Sequence, residues 1–472
     1  MLKLIRKQFK QEKPNINQKR RKQLIMTTDV QKKNYTLPII VMIFLFAMIA
    51  FVTNLAAPIG VIWKGKFEGS NMLGMMGNLM NFAAYFFMGI PAGKLLAKHG
   101  YKKTALAAIV VGFLGIFTQY LSGVLGVNST SFGLPTNFII YLLGAFICGF
   151  SVCMLNTVVN PMLNTLAGGG NKGNQLIQVG GTFNSLAGTL TPLMVGAMIG
   201  QVTASTAMSN VNPLLFIAMG VFAFAFIILS MVAIPEPHLV KASTEKAVVK
   251  EKDKYSPWSF RHLKLGVIAI FIYVGIEIGV PGTLNFFLSD TSASGAGLDP
   301  ANASAIGGSV AATYWFLMLV GRFIGSAIGS KISSKMMLTA VSGTGLVLVL
   351  AAIFSPIETL VSMPVFNGSA FGMVQVPINA LFLVLCGLCT SIMWGGIFNL
   401  AVEGLGKYVA TASGIFMMMV VGGGILPFFQ NWVADQAGYL ASYWVIVAGL
   451  AYLLYYALVG CKNVNKDIPV ED

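Results

Sequence analysis

The chain reads as an all-α membrane protein of about twelve transmembrane helices arranged as two six-helix halves. Three observations predict this. The sequence is 56% hydrophobic and only 10% charged, where a soluble globular chain carries about 25% charged residues. Its apolar residues fall in runs of about 20, the length a helix needs to cross a bilayer. The runs are continuous rather than alternating, so they are not the strands of a barrel.

The runs are taken in order. Run one, 37–62, follows a lead with eleven Lys and Arg, among them Lys19, Arg20, Arg21 and Lys22, and carries Asn54. Runs two, 71–97, and three, 103–127, flank a short loop holding Lys98, His99, Gly100 and Lys102. Run four, 137–165, carries Asn156, Asn160 and Asn164, whose spacing of four puts them on one helical face. Run five, 175–200, carries Gln178, Thr182, Asn184 and Ser185, and run six, 212–234, stops at Pro235. Run seven, 263–289, carries Tyr273, Glu277, Pro281 and Asn285, again at a spacing of four. Runs eight, 303–329, and nine, 337–355, precede run ten, 373–401, with Gln375, Asn379, Trp394 and Asn399. Runs eleven, 408–432, and twelve, 438–460, complete the set.

The longest polar segment between runs is the Lys-rich stretch from Pro235 to His262, and it splits the runs six and six. The expected organisation is a basic tail over 1–36, a six-helix half over 37–234, a central loop over 235–262, a second half over 263–460 and a short tail over 461–472. Two equal halves around a central loop mark transporters built from parallel repeats. The net charge of +15 does not point to nucleic acid, because the basic residues sit in the lead and in alternate loops. The opposite loops are uncharged or acidic, with Asp290, Asp299, Glu358 and Asp435; Lys64 and Lys66 are the exception. This is the positive-inside pattern, with both termini cytoplasmic, and a basic lead also suits contact with anionic lipid. The long polar lead and long first run are unlike a cleavable signal peptide. Four of five cysteines lie within apolar runs, and Cys386 and Cys389 form a CxxC without the second half of a zinc site. No metal or cofactor is expected.

Glu277 is the only acid deep inside an apolar run. A charge at the helix centre costs roughly 2.5–3.5 kcal/mol on the insertion scale, and chains that keep one use it to bind a substrate or ion or to carry a proton. The polar residues around it are otherwise amides, hydroxyls and aromatics. Amides donate to and accept from hydroxyl groups, so the stripe suits a small neutral hydroxylated solute. Asn and Gln also hold membrane helices together, and an acid can be paired to another helix. Prolines 161, 281 and 427 fit either simple kinks or opened backbone near a site.

Several motifs carry a family resemblance. The loop Gly93-Lys-Leu-Leu-Ala97-Lys98-His99-Gly100 resembles the loop between helices two and three of the major facilitator superfamily, with Ala97 where that pattern has Asp; Gly93 and Gly100 are then left to serve close helix approach and a tight turn. Tyr85 to Gly93, Asn156 to Pro161 and Thr182 to Leu186 follow in order, and Tyr273-Val-Gly-Ile-Glu277 comes after them. So do Tyr314-Trp315 with Gly321-Arg322-Phe323, then Ser391 to Trp394, Gly404 to Lys407 and Val421 to Pro427. Together they resemble the fucose/glucose/galactose:proton symporters of that superfamily. The resemblance implies the superfamily fold, a bacterial inner membrane and monosaccharide transport. It departs where the symporters carry an acid after Asn54-Leu55, here Ala56-Ala57, where fucose-type members carry Glu, here Asn156, and where a Gln is common, here Gly181.

The expected activity is secondary transport of a monosaccharide, hexose or fucose-like, by alternating access, with a proton or sodium ion as possible coupling partner. A nucleoside or amphiphilic drug, or uniport, is the alternative. The expected ligands are Asn54, Asn156, Asn160 and Asn184 from the first half, and Tyr273, Glu277, Asn285, Trp394 and Asn399 from the second. Glu277 is the candidate coupling group, and Gly93, Gly100 and Arg322 belong to the conformational motifs. No nucleophile–base pair, metal cluster or phosphate loop suggests an enzyme.

Overall fold

A computed structural model describes residues 35–167, 170–199, 206–236, 255–328, 332–366 and 370–470. The basic lead over 1–34 and the central loop over 237–254 lie outside the described residues. The first half contains α1 (Thr36–Lys66), then α2 and α3 within the stretch Met76–Leu121, then α4 (Thr136–Leu166), α5 (Gly170–Ile199) and α6 (Asn212–Met231). The second contains α7 (Arg261–Ser289), α8 (Ala303–Ile328), α9 (Ser334–Phe354), α10 (Ile378–Val402), α11 (Thr411–Ala437) and α12 (Tyr439–Gly460).

Among the described residues, ten helical stretches are long and apolar enough to cross a membrane, the 46-residue Met76–Leu121 being one of them. That stretch is two helices, because Gly100 at φ 81° and ψ 179° leaves the helical region. Helix α5, rich in amide and hydroxyl side chains, is the twelfth. The bundle therefore has a near end, where α1 begins and α12 ends, and a far end, where α1, α7 and α11 end.

A left-handed φ favours glycine, and at Gly100 the bare Cα also admits a partner. A Cβ there would lie 2.4 Å from Glu236 Oε2. The Glu236 carboxylate instead accepts from the backbone N–H groups of Tyr101 at 2.7 Å and Lys102 at 2.8 Å. A negative group at a helix start satisfies free N–H donors and suits the helix dipole. Glu236, just beyond α6, thus supplies a carboxylate to a loop in which Ala97 stands where the motif has Asp. Gly93 does not have the role expected of it. It is exposed, and a Cβ there would meet nothing within 4 Å, so among the described residues no helix approaches closely.

Run ten also needs correcting. Residues Phe371–Pro377 form a strand, β4, paired antiparallel with β3, Leu360–Phe366; a smaller hairpin, β1 (Thr130–Ser131) with β2 (Leu134–Pro135), precedes α4. Helix α10 begins only at Ile378, after Pro377. Alternating Val and polar or small residues at 371–377 favour the extended form. Gln375 is therefore an exposed strand residue and not part of a mid-membrane stripe.

The prolines are not where the helices open. Pro161, Pro281 and Pro427 lie inside continuous helix. The helical hydrogen-bond ladder is instead interrupted at Asn54–Leu55 in α1, Ser391–Ile392 in α10 and Val420–Val421 in α11, where the backbone stays close to helical angles. Pro427 still has an effect. It has no N–H for the carbonyl four residues earlier, and that carbonyl, on Gly423, accepts from Asn78 Nδ2 of α2 at 2.8 Å.

The halves meet along α5 with α8 and α2 with α11. At the far end the first seam is made by small residues. A Cβ on Gly308 would lie 2.5 Å from the Pro192 carbonyl, and one on Gly196 would lie 2.7 Å from the Ser304 carbonyl. Small residues four apart on each helix let membrane helices approach closely.

Candidate functional site

The site is built where the broken and polar helices converge between the halves. Glu277 Oε1 of α7 lies 3.7 Å from Arg322 Nη2 of α8, and both side chains are largely buried. Arg322 Nη1 also donates to the Gly181 carbonyl at 2.7 Å and to Ser185 Oγ at 2.7 Å, both on α5. One guanidinium thus ties the acid of the second half to the backbone of the first. A fixed planar fork of donors makes Arg suited to this. A Cβ at Gly181 would make only ordinary contact with the guanidinium, 3.5 Å from Nη1, so it is the backbone carbonyl that matters here.

Tyr273 sits one turn before Glu277, fully buried, with its hydroxyl turned to the Glu277 carboxylate. Its ring packs edge-on against Trp394 of α10 at 6.2 Å. Asn156 Nδ2 donates to Tyr85 OH of α2 at 2.8 Å, and Asn160 Nδ2 to the Asn156 carbonyl at 3.2 Å. Both asparagines keep partial exposure; the side chain of Asn164 lies outside the described residues. Asn184 Nδ2 donates to the Phe46 carbonyl of α1 at 2.8 Å. Asn379, by contrast, is fully buried and joins α10 to the Ala352 and Ser355 carbonyls, which is packing.

Nearer the far end, a narrow cavity lies between the halves, lined by Asn54, Asn78, Asn285, Pro281 and Trp315 among others. Asn54 turns its amide to the Ala50 carbonyl at the break in α1, at 2.9 Å. Asn285 accepts from Ser289 Oγ at 3.4 Å. Exposure rises toward the near end. Asn54 and Asn285 are buried, Asn156, Asn160, Glu277 and Trp394 are half-buried, and Asn399 is exposed.

The far end is sealed by a polar latch across the halves. Lys64 Nζ, at the end of α1, lies 2.8 Å from Asp290 Oδ2, just past α7. Tyr439 OH of α12 donates to the same Asp290 oxygen at 2.7 Å, touches Lys64 Nζ and lies 2.8 Å from Asn71 Oδ1. Asp435 of α11 accepts from the backbone N–H of Asn71 at 2.6 Å and of Met72 at 3.0 Å, and from Ser70 Oγ at 2.9 Å. It therefore caps the short helix Asn71–Gly74 of the other half. Burial pushes the Asp290 carboxyl up, but the Lys64 charge and the hydrogen bonds from Lys64, Tyr439 and Ser292 outweigh it and hold the group down at about 2.

Composition and spacing had singled out Glu277 and the amides but not their partners. Arg322 as counter-ion, Tyr85, Ser185, Asn78 and the latch were missed. Two signals existed. Arg322 is the one basic residue within 303–329, and Lys64 breaks the charge pattern of the loops opposite two acids.

A family model described as the Major Facilitator Superfamily matches residues 39–426. The chain is 28% identical over 439 residues to a glucose/galactose transporter of Brucella abortus (strain 2308), covering 93% of this chain and 97% of that one. It is 23% identical to the L-fucose-proton symporter of Escherichia coli (strain K12), covering 86% and 89%. Among solved structures, the Major Facilitator Superfamily transporter FucP in the outward conformation aligns with a TM-score of 0.61 at 20% identity, covering 90% of this chain and 98% of that one.

Proposed function

Because this chain belongs to the Major Facilitator Superfamily and is a transporter rather than an enzyme, we propose that it carries a monosaccharide across the membrane by alternating access. The observation that carries this reading is the charge balance of the site. Glu277 and Arg322 cancel each other, and around them stand amides and the Tyr273–Trp394 aromatic pair. Such a site offers hydrogen bonds to hydroxyls and flat apolar walls without a net charge that would favour an ionic solute. The names of the relatives, a glucose/galactose transporter and an L-fucose-proton symporter, support a sugar.

In this reading Asn156, Asn160, Asn184, Trp394 and Asn399 face the solute from the near end, and Asn54 and Asn285 bound its far side. The arrangement corresponds to a state closed at the far end. The Lys and Arg pattern of the loops makes the near end cytoplasmic, so the state faces inward across a bacterial inner membrane. Glu277 is the coupling group. When the halves rock, Arg322 loses its acceptors Gly181 and Ser185 on α5, and the freed guanidinium can turn away from Glu277 on its own half. A proton then takes the place of the lost counter-ion, because a bare buried carboxylate is costly.

Counterflow in proteoliposomes tests the substrate. Vesicles are preloaded with unlabelled galactose, glucose or fucose, and entry of the labelled sugar is followed. Transient accumulation of one sugar is expected. Correctly inserted protein that accumulates none of them, but exchanges a nucleoside, would overturn the sugar reading.

A further inference from the structure

The hairpin between α9 and α10 has two unlike faces. Its register pairs Leu360 with Pro377, Ser362 with Gln375, Pro364 with Met373 and Phe366 with Phe371, all on one face. The other face carries Met363, Val365 and Val376, which are buried in the core. On the first face Leu360 is 54%, Met373 65% and Phe371 73% exposed. Between Glu358 and Glu403 the chain has no charged residue at all. An uncharged face of this kind, apolar except for the exposed Ser362–Gln375 pair, is not what a hairpin standing in water presents.

Its position says what covers it. The backbone N–H of Phe366, close to the hairpin tip, donates to Ser309 Oγ of α8 at 2.8 Å. Ser309, Phe316 and Phe323 are seven residues apart, so they lie on one face of α8. Phe316 is 50% and Phe323 57% exposed, which marks that face as lipid-facing, whereas Ser309 is only 4% exposed. The hairpin therefore lies over the first turns of α8, at the far end of its lipid-facing surface. At the same level Phe354 and Trp444 pack edge-on at 6.1 Å with both rings exposed, as aromatic side chains do at a membrane interface.

We propose that the β3–β4 hairpin is a membrane-interface element, with Leu360, Pro364, Met373 and Phe371 set among the upper acyl chains and headgroups of the far-end leaflet. Its depth is shallow. The outer edges of a two-stranded hairpin keep unpaired backbone groups, which hydrocarbon does not tolerate but the interface does. The hairpin thereby braces the outer flank of α8, the helix that closes against α5 at Gly196 and Gly308.

The test uses Met373→Cys and Phe371→Cys in the full chain, labelled with an environment-sensitive fluorophore in proteoliposomes; Glu358→Cys is the reference. The five native cysteines are all buried, so background labelling is low. Two sites guard against one substitution disturbing the fold. Lipids carrying a shallow nitroxide should quench the labels at 371 and 373 several-fold more than the label at 358, and aqueous iodide should do the reverse. Equal iodide quenching at all three positions, without lipid quenching, overturns the proposal in favour of a water-exposed hairpin. Ready disulfide formation between copies of Met373→Cys in the membrane overturns it in favour of a second copy on this face.

Discussion

Arg322 stands between Glu277, 3.7 Å away on its own half, and Ser185, 2.7 Å away on the other. The acid that looked isolated along the sequence is half of an ion pair, and the pair is fastened across the interface between the halves. Breaking a buried pair by removing one partner costs about 3–5 kcal/mol, while replacing both is often neutral.

Glu277→Gln should therefore leave sugar exchange running while uphill accumulation falls to the equilibrium level. Counterflow and proton-driven uptake, measured on the same vesicles, separate the two. Arg322→Gln alone should be the more damaging change, since it strands the carboxylate. The Glu277→Gln/Arg322→Gln double variant should recover thermal stability relative to Arg322→Gln alone. Equal stability of the two would show that the pair is not coupled.

The latch predicts a pH profile. Asp290 is held at about 2, below its ordinary 3.8. Its contribution to far-end closure is thus fully present above the ordinary value and is lost as pH falls through about 2. Closure should be flat from about pH 5 to 8 and weaken only below about pH 4. Spin-label distances between the far ends of α1 and α7 report it. Lys64→Met should shift the distribution toward an open far end at every pH.

Asp435→Ala should open the same end independently. It removes the cap from the backbone donors of Asn71 and Met72, a loss of about 1 kcal/mol for such caps. The same distance measurement should show a several-fold rise in the open population. Asp435→Asn keeps an acceptor and should fall between the two.

Gly308→Val should prevent the far end from closing. The added Cβ alone would sit 2.5 Å from the Pro192 carbonyl, and overpacking of this kind costs roughly 1–3 kcal/mol. Exchange should drop about fivefold or more, since 1.4 kcal/mol is a factor of ten, while a cysteine introduced as Thr53→Cys in the cavity near Asn54 becomes reactive to a thiol reagent added from the far side.

The apolar runs were legible because crossing a bilayer demands length and hydrophobicity, and both are local properties. The spacing of Asn156 and Asn160 and of Tyr273 and Glu277 was legible for the same reason, since a helix converts spacing into a face. Run ten was misread at its start because uncharged Val, Met and Gly residues suit a membrane helix and an interfacial strand alike. Only the pairing of β4 with β3 separates them. The interruptions in α1, α10 and α11 were also hidden. Prolines advertise themselves in sequence, but in this bundle the breaks at Asn54, Ser391 and Val420 fall elsewhere.

By itself the sequence determined an all-α membrane protein with one deeply placed acid among amides and aromatics, because those features follow from composition and helical period. Tertiary structure alone decided the partners: Arg322 for Glu277, Asp290 for Lys64, Glu236 for the turn at Gly100. Each joins segments far apart in the chain, and no local rule of spacing encodes which distant residue will arrive beside a buried charge.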